Sequence, residues 1–194
     1  MSRPTLYHGR ADQGTPLSRE EFAEAQYEEP WRYERVEGRL IVMTPSGHEH
    51  TVTAEVVRDR LVAYKLSHPD VVDHVVSEAW IAIDDETDRI ADIAVYLKSS
   101  GEAERIPQRV PDLVFEVVSE GSEAKRRDYE EKRAEYERLG VEEYVVVDRF
   151  EHRVAVFRLA GDRYEKTSLG SEDVYTTPCL AGLEVPLRNI LGGR

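Results

Sequence analysis

The chain is expected to fold as an α/β domain in which a mixed sheet is flanked by helices. Three observations carry that expectation. Two runs, Leu113-Val114-Phe115-Glu116-Val117-Val118 and Tyr144-Val145-Val146-Val147-Asp148, are nearly all apolar and rich in β-branched residues, as strands buried on both faces are. Between them lies a charged stretch over 122–139 with Tyr129, Ala134, Tyr136 and Leu139 along one side, so a helical crossover is the economical connection. Upstream and downstream, the segments follow the order helix, three strands, helix, strand, with additional hairpins toward the N- and C-terminal ends.

Element by element, residues 1–16 are polar, contain Gly and Pro and show no periodicity, so they read as a mobile leader before a single domain over 17–194. Ser18 and Glu21 form a capping-box pattern ahead of Phe22, which predicts a short helix over 19–28 ending at Glu29-Pro30. Trp31 to Val36 and Arg39 to Met43 flank Glu37-Gly38 as a hairpin. After Pro45-Ser46-Gly47, Val52, Val56, Val57, Leu61 and Tyr64 recur at helical spacing, which predicts a long helix over 48–66. Strands are expected over 71–83 and 90–97, on either side of the turn-forming segment 84–88. Pro107 to Pro111 then breaks the chain before the first of the two apolar strands, and Gly140 stands where a helix C-cap glycine belongs. Val154 to Leu159 and Tyr164 to Leu169 flank Ala160-Gly161-Asp162 as a second hairpin. The tail through Leu191 reads as irregular, with Leu183, Val185 and Leu187 covering the sheet.

Composition narrows the function. With 194 residues the chain can bury a core without a disulfide or structural metal, and its single cysteine, Cys179, excludes a disulfide framework and a four-thiolate zinc site. No run of about eighteen apolar residues and no apolar signal segment after Met1-Ser2-Arg3-Pro4 is present, so a soluble cytoplasmic protein that meets no membrane is expected. Lys and Arg number 26 against 39 Asp and Glu, a net charge of −13. Such a surface repels phosphate backbones at long range, which excludes a broad coating of nucleic acid and confines any contact to a local site.

Glu116 interrupts a strand that is otherwise apolar, where an unpaired carboxylate would cost several kcal/mol. A strand-end glutamate or a buried ion pair would account for it alone. It is not alone: Asp112 lies four positions earlier on the same strand face, and Asp92 sits inside Ile90-Ala91-Asp92-Ile93-Ala94-Val95 on the preceding strand. Converging carboxylates need a cation or proton between them, and magnesium or manganese takes hard oxygen ligands of this kind with water completing its shell. Such an ion suits hydrolysis of a phosphodiester. Asp128, Lys132 and Tyr136 fall on one helical stripe, from which Lys132 could point at the carboxylates; an ordinary surface pair with a core tyrosine gives the same spacing. His48 and His50 lack a third soft ligand, Ser119 lacks a histidine partner, and Lys125-Arg126-Arg127 is embedded among acids as a solvated face would be.

The segments Pro111 to Ser119, Arg127 to Tyr136 and Gly140 to Asp148, in that order, resemble the Uma-two family of restriction endonucleases, a likeness that extends from about Tyr33-Glu34 through Gly182-Leu183-Glu184. The resemblance implies a restriction-endonuclease-like fold of the PD-(D/E)xK superfamily. It also implies Asp92 and Glu116 as metal ligands, with Lys132 replacing the lysine usually found where this chain has Val118. Glu34 and His50 match positions near the mouth of the site. The chain departs from the family pattern at Ala91 and Glu120, where proline is usual.

The expectation is therefore a magnesium- or manganese-dependent endonuclease acting on DNA, with Asp92, Glu116 and Lys132 catalytic, Lys132 orienting or activating the attacking water, and Asp112 close by as a supporting acid. Self-association into a homodimer through the hairpins at 31–43 and 154–169 is expected from the superfamily. The alternatives are an inactive nuclease-fold binding or assembly module, and a hydrolase of a smaller phosphate ester.

Overall fold

The computed structural model describes residues 6–98 and 108–191. Its core is an eight-stranded mixed sheet. The strands that build the site are β3 (Arg32–Val36), β4 (Arg39–Met43), β5 (Val72–Ala82), β6 (Asp88–Leu97), β7 (Leu113–Val117) and β8 (Glu143–Asp148). Every residue of β7 and β8 is buried, as their apolar runs require. They pair in parallel, whereas the other pairings in this sheet are antiparallel. The hairpin β9 (Arg153–Ala160) and β10 (Arg163–Gly170) extends the sheet beyond β8.

Helices cover both faces. The long helix α2 (His48–Ser67) and the C-terminal tail pack on one side through Val57, Leu61, Phe115, Val145 and Leu187. On the other side the crossover between β7 and β8 packs through Tyr136, with Val114, Tyr144 and Val146 beneath it. That crossover is helical from Ser122 to Leu139, in three consecutive pieces: α3 (Ser122–Arg126), a π-helical turn (Arg127–Glu131) and α4 (Lys132–Leu139). Gly140 ends it at φ 86°, a left-handed conformation that glycine adopts without a Cβ clash.

The N-terminal segment departs from expectation. Residues 6–16 are built into the fold, while residues 1–5 of the expected leader lie outside the described residues. Tyr7–His8 (β1) pairs in parallel with Gln26–Tyr27 (β2), and Arg10–Asp12 forms a 3-10 turn. The Gly14 N–H donates to Leu40 O, the Leu40 N–H to Thr15 O, and the Val42 N–H to Gln13 Oε1. The physical reason is β4, whose outer edge would otherwise leave backbone groups open. The helix α1 (Arg19–Glu24) is also shorter than the expected 19–28: Ser18 and Glu21 form the capping box, but Ala25 is already extended and Gln26–Tyr27 is needed as a strand. In the tail expected to be irregular, Val174–Tyr175 (β11) pairs with Val185–Pro186 (β12) ahead of α5 (Arg188–Leu191).

Candidate active site

A fork in the sheet positions the site. β5 pairs with β6 from Val72↔Leu97 to Ala82↔Asp88 and so occupies one edge of β6 throughout. β7 and β3 must then share the other edge: β7 covers Ile93 to Val95, and β3 meets β6 only at Asp88. Between them the edge of β6 has no strand partner. Backbone groups exposed there still need hydrogen bonds, and charged side chains provide them. Ile90 N–H donates to Glu34 Oε1 (3.1 Å), Asp92 N–H to Glu116 Oε2 (3.3 Å), and Ile90 O accepts from Lys132 Nζ (2.9 Å). The fork therefore explains how a strand that is otherwise apolar can carry a buried glutamate.

An open cleft of about 910 Å³ lies over the fork, lined by Glu34, Asp92, Glu116, Asp128 and Lys132 among others. Asp92 is held from three sides: Arg32 donates to Oδ1 (3.0 Å), the Val117 N–H donates to Oδ2 (2.8 Å), and His50 Nε2 stands 3.0 Å from Oδ2. Burial alone would raise its pKa, but His50, Arg32 and the Val117 N–H outweigh burial and hold it well below the usual carboxylate range. Glu116 goes the other way. Burial, reinforced by the nearby Asp92, pushes it up, while the Lys132 ammonium opposes the shift. Asp128 is raised to about 6, chiefly by burial.

Lys132 is buried at 3% exposure and surrounded by Glu116 Oε1 (2.8 Å), Ile90 O (2.9 Å) and Glu34 Oε1 (3.0 Å). These three oxygens match its three protons. Although burial opposes its charge, Glu116 and Glu34 raise its pKa, so it stays an ammonium. Glu34 is held at about 2, because Lys132 and Arg89 overcome the effect of burial. Tyr136 is fully buried with its hydroxyl 3.4 Å from Glu116 Oε1.

The structure brings together Asp92, Glu116, Lys132, Glu34, His50, Asp128 and Tyr136. It does not bring Asp112. That carboxylate accepts from the Leu97 N–H (2.7 Å) at the start of β7. Four strand residues span roughly 13 Å, so a shared face does not mean a shared site. The triplet Lys125-Arg126-Arg127 divides: Lys125 pairs with Glu151 at the surface, whereas Arg126, paired with Glu131, and Arg127 both line the cleft. The activating role expected of Lys132 is also at odds with its surroundings, because no proton of the ammonium is left for water. Sequence reasoning missed Arg32 and Arg89. Arg89 is 2% exposed and binds Glu34 (2.9 Å) and, through two nitrogens, Glu135 (2.7 and 2.8 Å). No local signal marked Arg89, which follows the turn-like acidic run Asp84 to Asp88; Arg32 alone stands between two aromatic residues, Trp31 and Tyr33.

The sheet, its crossover helix and its acid-lined fork define a nuclease-type α/β fold. A solved structure described as "a putative nuclease belonging to DUF820" from Anabaena variabilis is similar to this chain with a TM-score of 0.71 and 16% identity, covering 91% of this chain and 98% of that one. The chain belongs to the Uma2 family, described as "Putative restriction endonuclease", whose model matches residues 19–188. No functionally curated protein matches it.

Proposed function

We propose that the protein is a divalent-metal-dependent endonuclease that hydrolyses DNA phosphodiester bonds, acting in the cytoplasm. The observation that carries this reading is the meeting of Asp92 and Glu116 in the open cleft, linked by the Asp92 N–H bond to Glu116 Oε2. Among the described residues no group of three His, Cys, Asp or Glu side chains forms a metal cage. Magnesium does not need one: it takes one or two carboxylates and keeps several waters. Burial and then the nearby Asp92 raise the pKa of Glu116 against the pull of Lys132, and a cation shared by the two acids would oppose the repulsion between them. Asp92 and Glu116 would hold the ion, which would polarise a phosphoryl oxygen and make water a better nucleophile.

The chain's own residues do the rest. Lys132 fixes Glu116 and contributes a permanent positive charge beside it. Arg32, bonded to Asp92 Oδ1, keeps that carboxylate ionised and oriented. Tyr136 backs Glu116 from the core. With a net charge of −13, contact with DNA is confined to the cleft. Among the described residues no helix is long and apolar enough to cross a membrane. A homodimer would bring two clefts to two strands; of the two hairpins considered for it, β9–β10 keeps the more exposed outer strand, because residues 13–16 cover β4.

One observation favours a second reading: Arg32 and His50 on Asp92, and Lys132 on Glu116, already neutralise the acids internally, as an inactive binding module would allow. Plasmid nicking by the purified protein with magnesium or manganese, abolished in Asp92→Asn, is the expected result. Absence of cleavage together with absence of manganese binding by calorimetry would favour the module. Cleavage of a small phosphodiester but not of plasmid would favour a smaller ester substrate.

A further inference from the structure

We propose that Asp128, and not Lys132, is the catalytic base that takes the proton of the attacking water. The inference rests on the endonuclease reading and deepens it. It begins from what Lys132 lacks. A base needs a lone pair, and the Lys132 nitrogen is an ammonium whose three protons face Glu116, Glu34 and Ile90 O. Removing one of those protons would leave two buried carboxylates short of a cation. Lys132 is thus a positioning residue for Glu116.

Asp128 has what Lys132 lacks. It is 2% exposed, lines the same cleft, and its carboxylate accepts no hydrogen bond from any described residue. Buried carboxylates normally collect donors; Asp88, Asp148 and Glu143 in this molecule each have at least three. The neighbour closest in kind is Arg127, whose Nε stands 3.4 Å from Oδ1 and itself finds no hydrogen-bond partner. Apart from this ion pair at Oδ1, the carboxylate of Asp128 has no donor among the described residues and lines the cleft. Its placement has a structural cause: Asp128 sits in the π-helical turn Arg127–Glu131, and one wider turn changes the direction in which successive side chains leave the helix. Burial also makes the carboxylate more basic than an ordinary aspartate, at about 6, while leaving it mostly ionised at neutral pH.

In the reaction, a water oxygen forms a bond to phosphorus as its proton passes to the Asp128 carboxylate. The bond from phosphorus to the leaving ester oxygen breaks, and that oxygen takes a proton from solvent. Water and a phosphodiester become a phosphomonoester and an alcohol, with Asp128 returning its proton to solvent.

The test uses the full chain with manganese and plasmid. Asp128→Asn keeps the side-chain shape, so its urea midpoint and manganese affinity should stay near wild type while cleavage falls on the order of 10²- to 10⁴-fold. In Asp128→Gly, added formate should restore part of the rate, which a structural role would not produce. Asp128→Asn cleaving within a few-fold of a cleaving wild type, or formate failing to raise the rate of Asp128→Gly, overturns the assignment and leaves the endonuclease reading standing. A wild type that cleaves no phosphodiester with either metal overturns both.

Discussion

Asp88 and Asp92 lie four residues apart on β6, on the same face, and are both buried, yet they differ in what surrounds them. Asp88 is enclosed by Arg19 (2.8 Å), Arg35 (2.7 Å) and the Trp80 indole (3.0 Å), and takes no part in lining the cleft. Its main partner, Arg35, is 2% exposed and so depends on Asp88 for its charge balance. Asp92 is bonded to Arg32, whose side chain keeps 20% exposure and also approaches Glu78, and it opens onto the cleft. One aspartate is a closed knot between β3, β6 and α1; the other is half of a site. A buried acid in a strand is therefore diagnostic only together with an access route.

Exchanging the roles of the two residues is the sharpest way to break the comparison. Asp92→Asn should remove several kcal/mol of transition-state stabilisation, a loss on the order of 10³-fold in cleavage, with a smaller fall in the urea midpoint than Asp88→Asn causes, because Arg32 can turn to solvent. Asp88→Asn should do the reverse. Leaving Arg35 buried beside a neutral amide should destabilise by about 3–5 kcal/mol, while the fraction that folds keeps its activity. Equal effects of the two substitutions on stability would show that the Asp92 cluster is structural too.

Glu34 joins the knot side of the sheet to the site, since it lies on β3 yet holds both Arg89 and Lys132. Its folded pKa of about 2 lies below its ordinary value of 4.5. The stabilisation it gives is therefore complete above about 4.5 and disappears as the pH falls toward 2. For a fully buried group that window corresponds to about 3 kcal/mol. Glu34→Gln should flatten the acid limb of a stability profile measured by urea unfolding between these limits, and should lower stability at neutral pH. An acid limb as steep as that of wild type would mean that other carboxylates, not Glu34, dominate it.

Much of this was legible in the residues. The strands β7 and β8 followed from apolar β-branched runs, the crossover from the stripe containing Tyr136, and its end from Gly140. The convergence of Asp92 and Glu116 followed from two acids in neighbouring apolar strands, and Lys132 gained weight from the family resemblance. The fork could not be read, because it depends on β6 outlasting β7 on one edge, a property of register rather than of any segment. Arg32 and Arg89 escaped for the same reason: which arginine in a strand turns inward depends on which neighbouring strand stops short. Residues 6–16 read as a leader since their value lies in closing the edge of β4, and nothing local in a Gly- and Pro-containing segment announces a partner 25 residues away.

The smallest effect tests how Glu116 is held. Lys132 meets its Oε1 at 2.8 Å and the Tyr136 hydroxyl meets the same atom at 3.4 Å, near the limit for a hydrogen bond. A bond that long adds little to what the ammonium provides, and phenylalanine fills the same volume in the core. Tyr136→Phe should therefore change stability by less than about 1 kcal/mol and cleavage by only a few-fold. Lys132→Met should be far worse, because it strips the cation from two buried carboxylates at once. If the two variants instead lose comparable activity, the tyrosine hydroxyl orients Glu116 in its own right, and the carboxylate pair is built from the helix core as much as from the fork.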